Sequence, residues 1–286
     1  SSTLTLQPIE RYNLDSAIIF SDILLVPYAL GQEVNFIKDQ GPVLSDFNID
    51  NFLNNNELEF SKKLNPIYNA ITKTRKKLNA EKSLIGFIGA PWTLLIYMLG
   101  LKNKKNQIDI NIINKNKSNL KLIMENLITY LCKHIENQIN AGADIVQIFD
   151  SWAGLLSDED LEDLCYNPNL RIVNFCKNKK IPVICFPKGI KENYITFQDN
   201  VRPDGLNLDY DIDPLWAKEK LTKVALQGGL NPKTLLKSDD DLFKEAKRYL
   251  DLFKDAPYIF NLGHGIVPET DPTTLGQLIG FVKEYK

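Results

Sequence analysis

Seven short apolar runs punctuate this chain: SAIIF, SLIGFI, DIVQIF, IPVICF, DGLNL, KVALQ and PYIFN. Each has the length of a strand buried on both faces, and such strands read as continuous rather than alternating apolar sequence. A polar or glycine-bearing turn follows each run, and helical patterns lie between them. Ile67, Ile71, Thr74 and Leu78 fall on one helix face. Leu120, Met124, Leu127, Leu131, Ile135 and Ile139 make a second stripe, and Leu242, Phe243, Ala246, Tyr249, Leu250 and Phe253 a third. Ser157 with Asp160 and Ser238 with Asp241 have capping-box-like spacing, with acidic residues filling each first turn. Strand–helix alternation with no Gly-, Ser- or Pro-rich linker predicts one α/β domain over residues 1–286. The closed (β/α)8 TIM-type barrel is the best candidate, and its active site is expected at the C-terminal ends of the strands. A complete barrel has eight strands, one more than these runs supply.

Of 286 residues, 44% are hydrophobic, enough for a sizeable core, and the net charge of −2 gives no basic field for nucleic acid. The four cysteines, at 132, 165, 176 and 185, form no C-x-x-C pair and have no histidine at zinc-finger spacing. They read as reduced thiols of a cytoplasmic protein. No apolar run approaches the roughly 18 residues that cross a bilayer, so no membrane association is expected. The opening SSTLTLQPIER matches neither a signal peptide nor an Arg-rich transit peptide, and it lacks an initiator Met, which reads as a processed or incomplete product. Residues 101–119, LKNKKNQIDINIINKNKSN, are rich in Asn and Lys and are read as a solvated loop in preference to a mobile lid.

The turns after the strands carry the chemistry. Asp22 follows AIIF, GAPWT and then Tyr97 follow LIGFI, and Asp150 and Ser151 follow IVQIF. Lys188 follows VICF, Asp209 follows LNL, and His264 follows YIFN within LGHG. In a barrel these turns converge on one mouth. Asp22, Tyr97, Ser151 and His264 then form a polar set in a pocket otherwise lined by Phe20, Phe87, Ile88 and Phe149, the usual composition of a small-molecule site. Each has a plainer reading: Asp22 or Ser151 as a helix cap, Tyr97 as helix packing. His264 is one of only two histidines. Between two glycines it makes little core contact, while the glycines let a ligand approach the backbone, which favours a functional role. His134 lies beside the apolar stripe of its helix and is read as structural. No dinucleotide or phosphate-loop motif occurs.

Taken in order, AIIFSDILLVPYALG, GFIGAPWTLLIYM, VQIFDSWAGLLS, LQGGLNP and NLGHGIVPETDP closely resemble the uroporphyrinogen decarboxylase family, from about residue 3 to the C-terminal region. The resemblance implies a single-domain (β/α)8 barrel, a homodimer, and neither metal nor cofactor. It implies a carboxy-lyase of haem and porphyrin biosynthesis that removes the carboxyls of the four acetate side chains of uroporphyrinogen III, giving coproporphyrinogen III. By motif match, Asp22 takes the place of the family's central, catalytic aspartate. Tyr97, Ser151 and His264 fall at its substrate-binding tyrosine, serine and histidine, and Phe20, Phe87 and Phe149 at its apolar lining.

The chain departs from the family in three places. The arginine-bearing M-R-Q-A-G-R-Y segment that ends the family's first strand, and binds substrate carboxylates, has no counterpart among the five arginines at 11, 75, 171, 202 and 248. That strand would be the eighth, so the sequence is expected to be N-terminally incomplete. MLGLKNKKN replaces a Gly/Ser-rich loop, and QGGLNP replaces QGNLDP. Two rival readings are a methyltransferase barrel with a zinc-bound thiol and a catalytically inactive tetrapyrrole-binding homologue. The first needs His and Cys ligands at strand ends, where this chain has CFPKG and His264.

Overall fold

The computed structural model describes residues 1–285 except 38–40, 102–106 and 109. Helix α1 (Ser2–Tyr12) leads into strand β1 (Ser16–Ile18). Next come α2 (Leu25–Ala29), an antiparallel hairpin of β2 (Val34–Ile37) and β3 (Gly41–Leu44), α3 (Ile49–Leu53) and α4 (Glu57–Lys77). From there strands and helices alternate: β4 (Ser83–Gly89), α5 (Pro91–Met98), α6 (Ile110–Ala141), β5 (Ile145–Asp150), α7 (Asp158–Leu161) and α8 (Asn167–Asn178). The chain ends through β6 (Val183–Pro187), α9 (Tyr194–Val201), β7 (Gly205–Leu208), α10 (Pro214–Lys220), β8 (Ala225–Gly228), α11 (Asp239–Phe253), β9 (Tyr258–Ile259) and α12 (Pro272–Glu284).

All seven apolar runs are strands. They form one parallel sheet in the order β1-β4-β5-β6-β7-β8-β9, curled into a half-barrel with helices around it. Among the described residues β1 pairs only with β4 and β9 only with β8, which leaves between them the place of the eighth strand that the seven runs do not supply. On that open side the two ends of the chain meet. The Tyr12 hydroxyl donates to the Pro272 carbonyl at 3.0 Å, and Lys283 reaches the Asn13 carbonyl.

The main core lies between the sheet and its helices, where Leu127, Leu131 and Ile135 of α6 and Leu242 and Ala246 of α11 are fully buried, while Ile71 of α4 is fully buried in a second cluster with Leu6, Ile9 and Leu84. The helical stripes read from spacing are thus the packed faces. Ser238 caps α11 through the Asp241 N–H at 3.4 Å. At Ser157 the expectation fails in detail, since its hydroxyl donates to the Asp160 carboxylate at 2.6 Å and caps no backbone N–H.

The solvated-loop expectation for residues 101–119 is corrected. Leu101 is fully buried, and residues 110–119 are the first turns of α6; residues 102–106 and 109 lie outside the described set. Asparagine is a poor helix former, but a helix that already has a long apolar stripe to pack extends through such a start. His134 is structural, as read. It is buried with the Tyr68 hydroxyl 3.0 Å from Nδ1, and burial pushes its pKa down to about 3, which keeps the ring neutral. All four cysteines are free thiols.

Candidate active site

The residues singled out from sequence stand at one edge of the sheet, where the strands end. Asp22 follows β1, Tyr97 lies on the helix after β4, Ser151 follows β5 and His264 follows β9. The plainer reading of Asp22 as a helix cap is corrected: Oδ1 accepts the Leu24 N–H at 2.8 Å in a turn just ahead of α2, whose N-cap position is Leu24 and which has no side-chain cap. Among the described residues Oδ2 has no partner, which leaves half of an exposed carboxylate for a ligand.

Below the rim the lining is aromatic. Phe87 meets Phe149 edge to face at 5.6 Å between ring centres, and Phe149 meets Phe186 at 6.4 Å. Phe186, which sequence reading missed, completes this floor. Its signal was present, since it is the last apolar residue of the VICF run, and in the sheet it stands opposite Phe149. Phe20 does not join them. Among the described residues it is 59% exposed, just after the edge strand β1. Beneath the rings lies a polar layer: Gln227 Nε2 donates to Asn207 Oδ1 at 2.7 Å and to Gln147 Oε1 at 3.4 Å.

Two buried carboxylates fix the rim. Asp150 ends β5. Its Oδ1 accepts from the Thr93 hydroxyl at 2.7 Å, and its Oδ2 from Asn169 Nδ2 at 3.2 Å and Cys165 Sγ at 3.4 Å. Thr93 Oγ1 in turn accepts the Trp152 N–H at 3.2 Å. With the Trp152 N–H accepted at its oxygen, the Thr93 hydroxyl keeps its own proton for the ionised Asp150 carboxylate. Burial nonetheless raises the Asp150 pKa to about 6, against the lowering effect of these three donors. This chain of bonds positions the Ser151 turn against the start of α5, and nearer the end of that helix the Tyr97 ring meets the Trp152 ring edge to face at 6.3 Å.

Asp209, at the end of β7, is the second. Its Oδ2 accepts the Gly189 N–H at 2.8 Å and the Tyr194 hydroxyl at 3.2 Å, and its Oδ1 accepts the Asp211 N–H at 3.2 Å.

His264 sits 6.5 Å from the Tyr210 ring. Partial burial lowers its pKa, the Lys188 ammonium lowers it further, and a hydrogen bond with the Gly265 backbone opposes both. The protein alone therefore favours the neutral imidazole. The glycine reading is corrected at Gly263, whose close approach is to its own chain: a Cβ there would lie 2.5 Å from the Tyr210 backbone nitrogen. Gly265 has open space around it, with nothing within 4 Å of such a Cβ.

Among the described residues no three His, Cys, Asp or Glu side chains gather as a metal-binding group, and no helix is long and apolar enough to cross a membrane.

The sequence model of the uroporphyrinogen decarboxylase (URO-D) family matches residues 1–285. The chain belongs to the uroporphyrinogen decarboxylase family. It is 42% identical to the uroporphyrinogen decarboxylase of Orientia tsutsugamushi (strain Ikeda) over 291 aligned positions, spanning 100% of this chain and 84% of that relative. It is 40% identical to the one from Wolbachia sp. subsp. Brugia malayi (strain TRS), spanning 98% and 80% respectively. A solved methyltransferase from Methanosarcina mazei shares the fold with a TM-score of 0.75 over 99% of this chain and 84% of that one, at 17% identity. At that identity the likeness extends to the fold alone, and the family membership rests on the sequence matches.

Proposed function

We propose that this chain is a uroporphyrinogen decarboxylase that converts uroporphyrinogen III to coproporphyrinogen III in tetrapyrrole biosynthesis. The observation that carries the reading is the position of Asp22, with one carboxylate oxygen unpartnered, at the strand-end rim of a chain of this family. A reduced tetrapyrrole turns its pyrrole N–H donors inward. One carboxylate with about four lone-pair sites can gather them. Protonation of a pyrrole carbon makes the ring a cationic electron sink for loss of CO2, the part a cofactor plays in other decarboxylases. Asp22 stabilises that developing cation, and the Phe87–Phe149–Phe186 floor keeps water from weakening the attraction.

Tyr97, Ser151 and His264 supply hydrogen-bond donors for substrate carboxylates. The neutral imidazole donates through its N–H and gains a proton more readily once an anion lies beside it. Phe20 adds apolar contact at the open edge. The same reading takes the protein as a cytoplasmic homodimer that needs no cofactor.

The test is an anaerobic assay with uroporphyrinogen III, products being resolved by their number of carboxyls, with and without chelator. Stepwise hepta- to tetracarboxylic products, unchanged by chelator, are expected. Binding without any product would favour the inactive tetrapyrrole-binding homologue instead.

A further inference from the structure

Lys188 stands in the turn after β6, and its backbone is held from both sides. Its N–H donates to the Asp150 carbonyl at 3.1 Å, and its carbonyl accepts the Gly154 N–H at 2.9 Å. The next residue, Gly189, gives its N–H to the Asp209 carboxylate at 2.8 Å. The lysine is thus set between two strand-end aspartates and pairs with neither. Asp150 uses its oxygens on Thr93, Asn169 and Cys165, and Asp209 on Gly189, Tyr194 and Asp211. Among the described residues no carboxylate lies within ion-pair distance of the Lys188 ammonium, although the residue is half-buried. The turn that carries Lys188 stands at the strand ends, packed against the Ser151 turn through Gly154 and Gly189, and the lysine's positive charge is among the causes that lower the His264 pKa. A fixed backbone, two satisfied carboxylate neighbours and an unpaired cation describe a group prepared for an anion that arrives from outside.

We infer that Lys188 is a substrate-binding residue, placed with His264 to receive a carboxylate arm of the tetrapyrrole. This inference rests on the decarboxylase reading and adds to it a cation that the motif match did not assign. A charge-assisted hydrogen bond to a carboxylate contributes enough that its loss weakens binding by about tenfold or more.

The test compares wild type with Lys188→Met and Lys188→Arg. In the anaerobic assay with uroporphyrinogen III, Lys188→Met is expected to raise KM about tenfold or more with kcat within a few-fold, and Lys188→Arg to recover most of the loss. The Tm of Lys188→Met should equal that of wild type, because the ammonium has no protein partner to lose. By NMR without substrate, the His264 imidazole should titrate at higher pH in Lys188→Met. An unchanged KM in the active enzyme would overturn the inference, as would an unmoved His264 titration, or a KM loss accompanied by a fall in Tm. If wild type itself releases no product, the decarboxylase reading has failed separately. Lys188 is then tested by fluorescence titration with uroporphyrin I, an octacarboxylate: weaker binding to Lys188→Met supports it, and equal affinity overturns it.

Discussion

Gly154 and Gly189 meet backbone to backbone: a Cβ on Gly154 would lie 2.6 Å from the Gly189 carbonyl oxygen. The two turns that carry Ser151 and Lys188 are therefore packed with no side chain between them. Gly189 also has φ +83, a conformation that side chains rarely adopt. Gly154→Ala should force the turns apart. Overpacking of this kind costs about 1–3 kcal/mol, or roughly 2–4 °C of Tm per kcal/mol in a chain of this size. Activity should fall by at least about tenfold, more than the lost stability explains, because the rim shifts. Thermal melts beside steady-state kinetics check both, and full activity would show that the rim tolerates the displacement.

Asp22→Ala should lower kcat by at least about a hundredfold, in line with removal of a fixed charge partner from a transition state. It should also cost about 1 kcal/mol of stability, since the Leu24 N–H loses its acceptor. Asp22→Glu restores the charge but moves it by about 1 Å, which can cost about a hundredfold. Near-wild-type turnover in Asp22→Ala would remove Asp22 from the chemistry and leave it as the acceptor of a turn bond ahead of α2.

Asp150 predicts a stability term that weakens as pH rises. Its folded pKa of about 6 exceeds the ordinary 3.8, so between those values the native state holds a proton that the unfolded chain releases. Stability contributed by this group is complete below about pH 4 and is lost as pH rises through about 6, by an amount on the order of 2–3 kcal/mol. Asp150→Asn should abolish this dependence. It should also lower activity, because an amide –NH2 would face the Asn169 and Cys165 donors. Denaturant melts across pH 4–7 measure the slope, and an identical slope in the variant would show that Asp150 is not its source.

His134 predicts the opposite slope. Its folded pKa of about 3 lies below the ordinary 6.5, so the unfolded chain binds a proton that the buried ring refuses. Stability from this source is complete above pH 6.5 and is lost as pH falls toward 3. His134→Gln should flatten that acid limb, at a cost at neutral pH from the lost Tyr68 hydrogen bond and the Phe60 edge contact. An acid limb of unchanged steepness would place the proton uptake elsewhere.

The parts of this fold visible in the sequence are those whose signal is local. Short apolar runs bounded by turn residues are such a signal, so the runs from SAIIF to PYIFN declared themselves, the partly exposed edge strands β1 and β9 included. The strand-end positions of Asp22, Tyr97, Ser151 and His264 followed from the same reading. Other parts depend on distant partners. Asp150 is bonded to Thr93, 57 residues away, and to Asn169, 19 residues away, and no spacing rule links them. Seven of the eight residues of α5, PWTLLIYM, are buried, so the helix has no polar face to betray its period. Gly263 looked like an opening for a ligand because its tight neighbour, Tyr210, is remote in sequence.

The curled sheet ends in strands of three and two residues, with Ile18 and Ile259 half exposed along them. An unpaired strand edge is a template on which another chain can add hydrogen bonds, and apolar side chains make the addition stick. Templating of that kind needs a segment of six or seven residues to propagate. Edges this short offer an incoming strand too few bonds to hold it. Among the described residues both edges are therefore too short to template such growth, and a substitution that lengthened β1 or β9 is expected to raise aggregation, read by light scattering, before it lowers Tm.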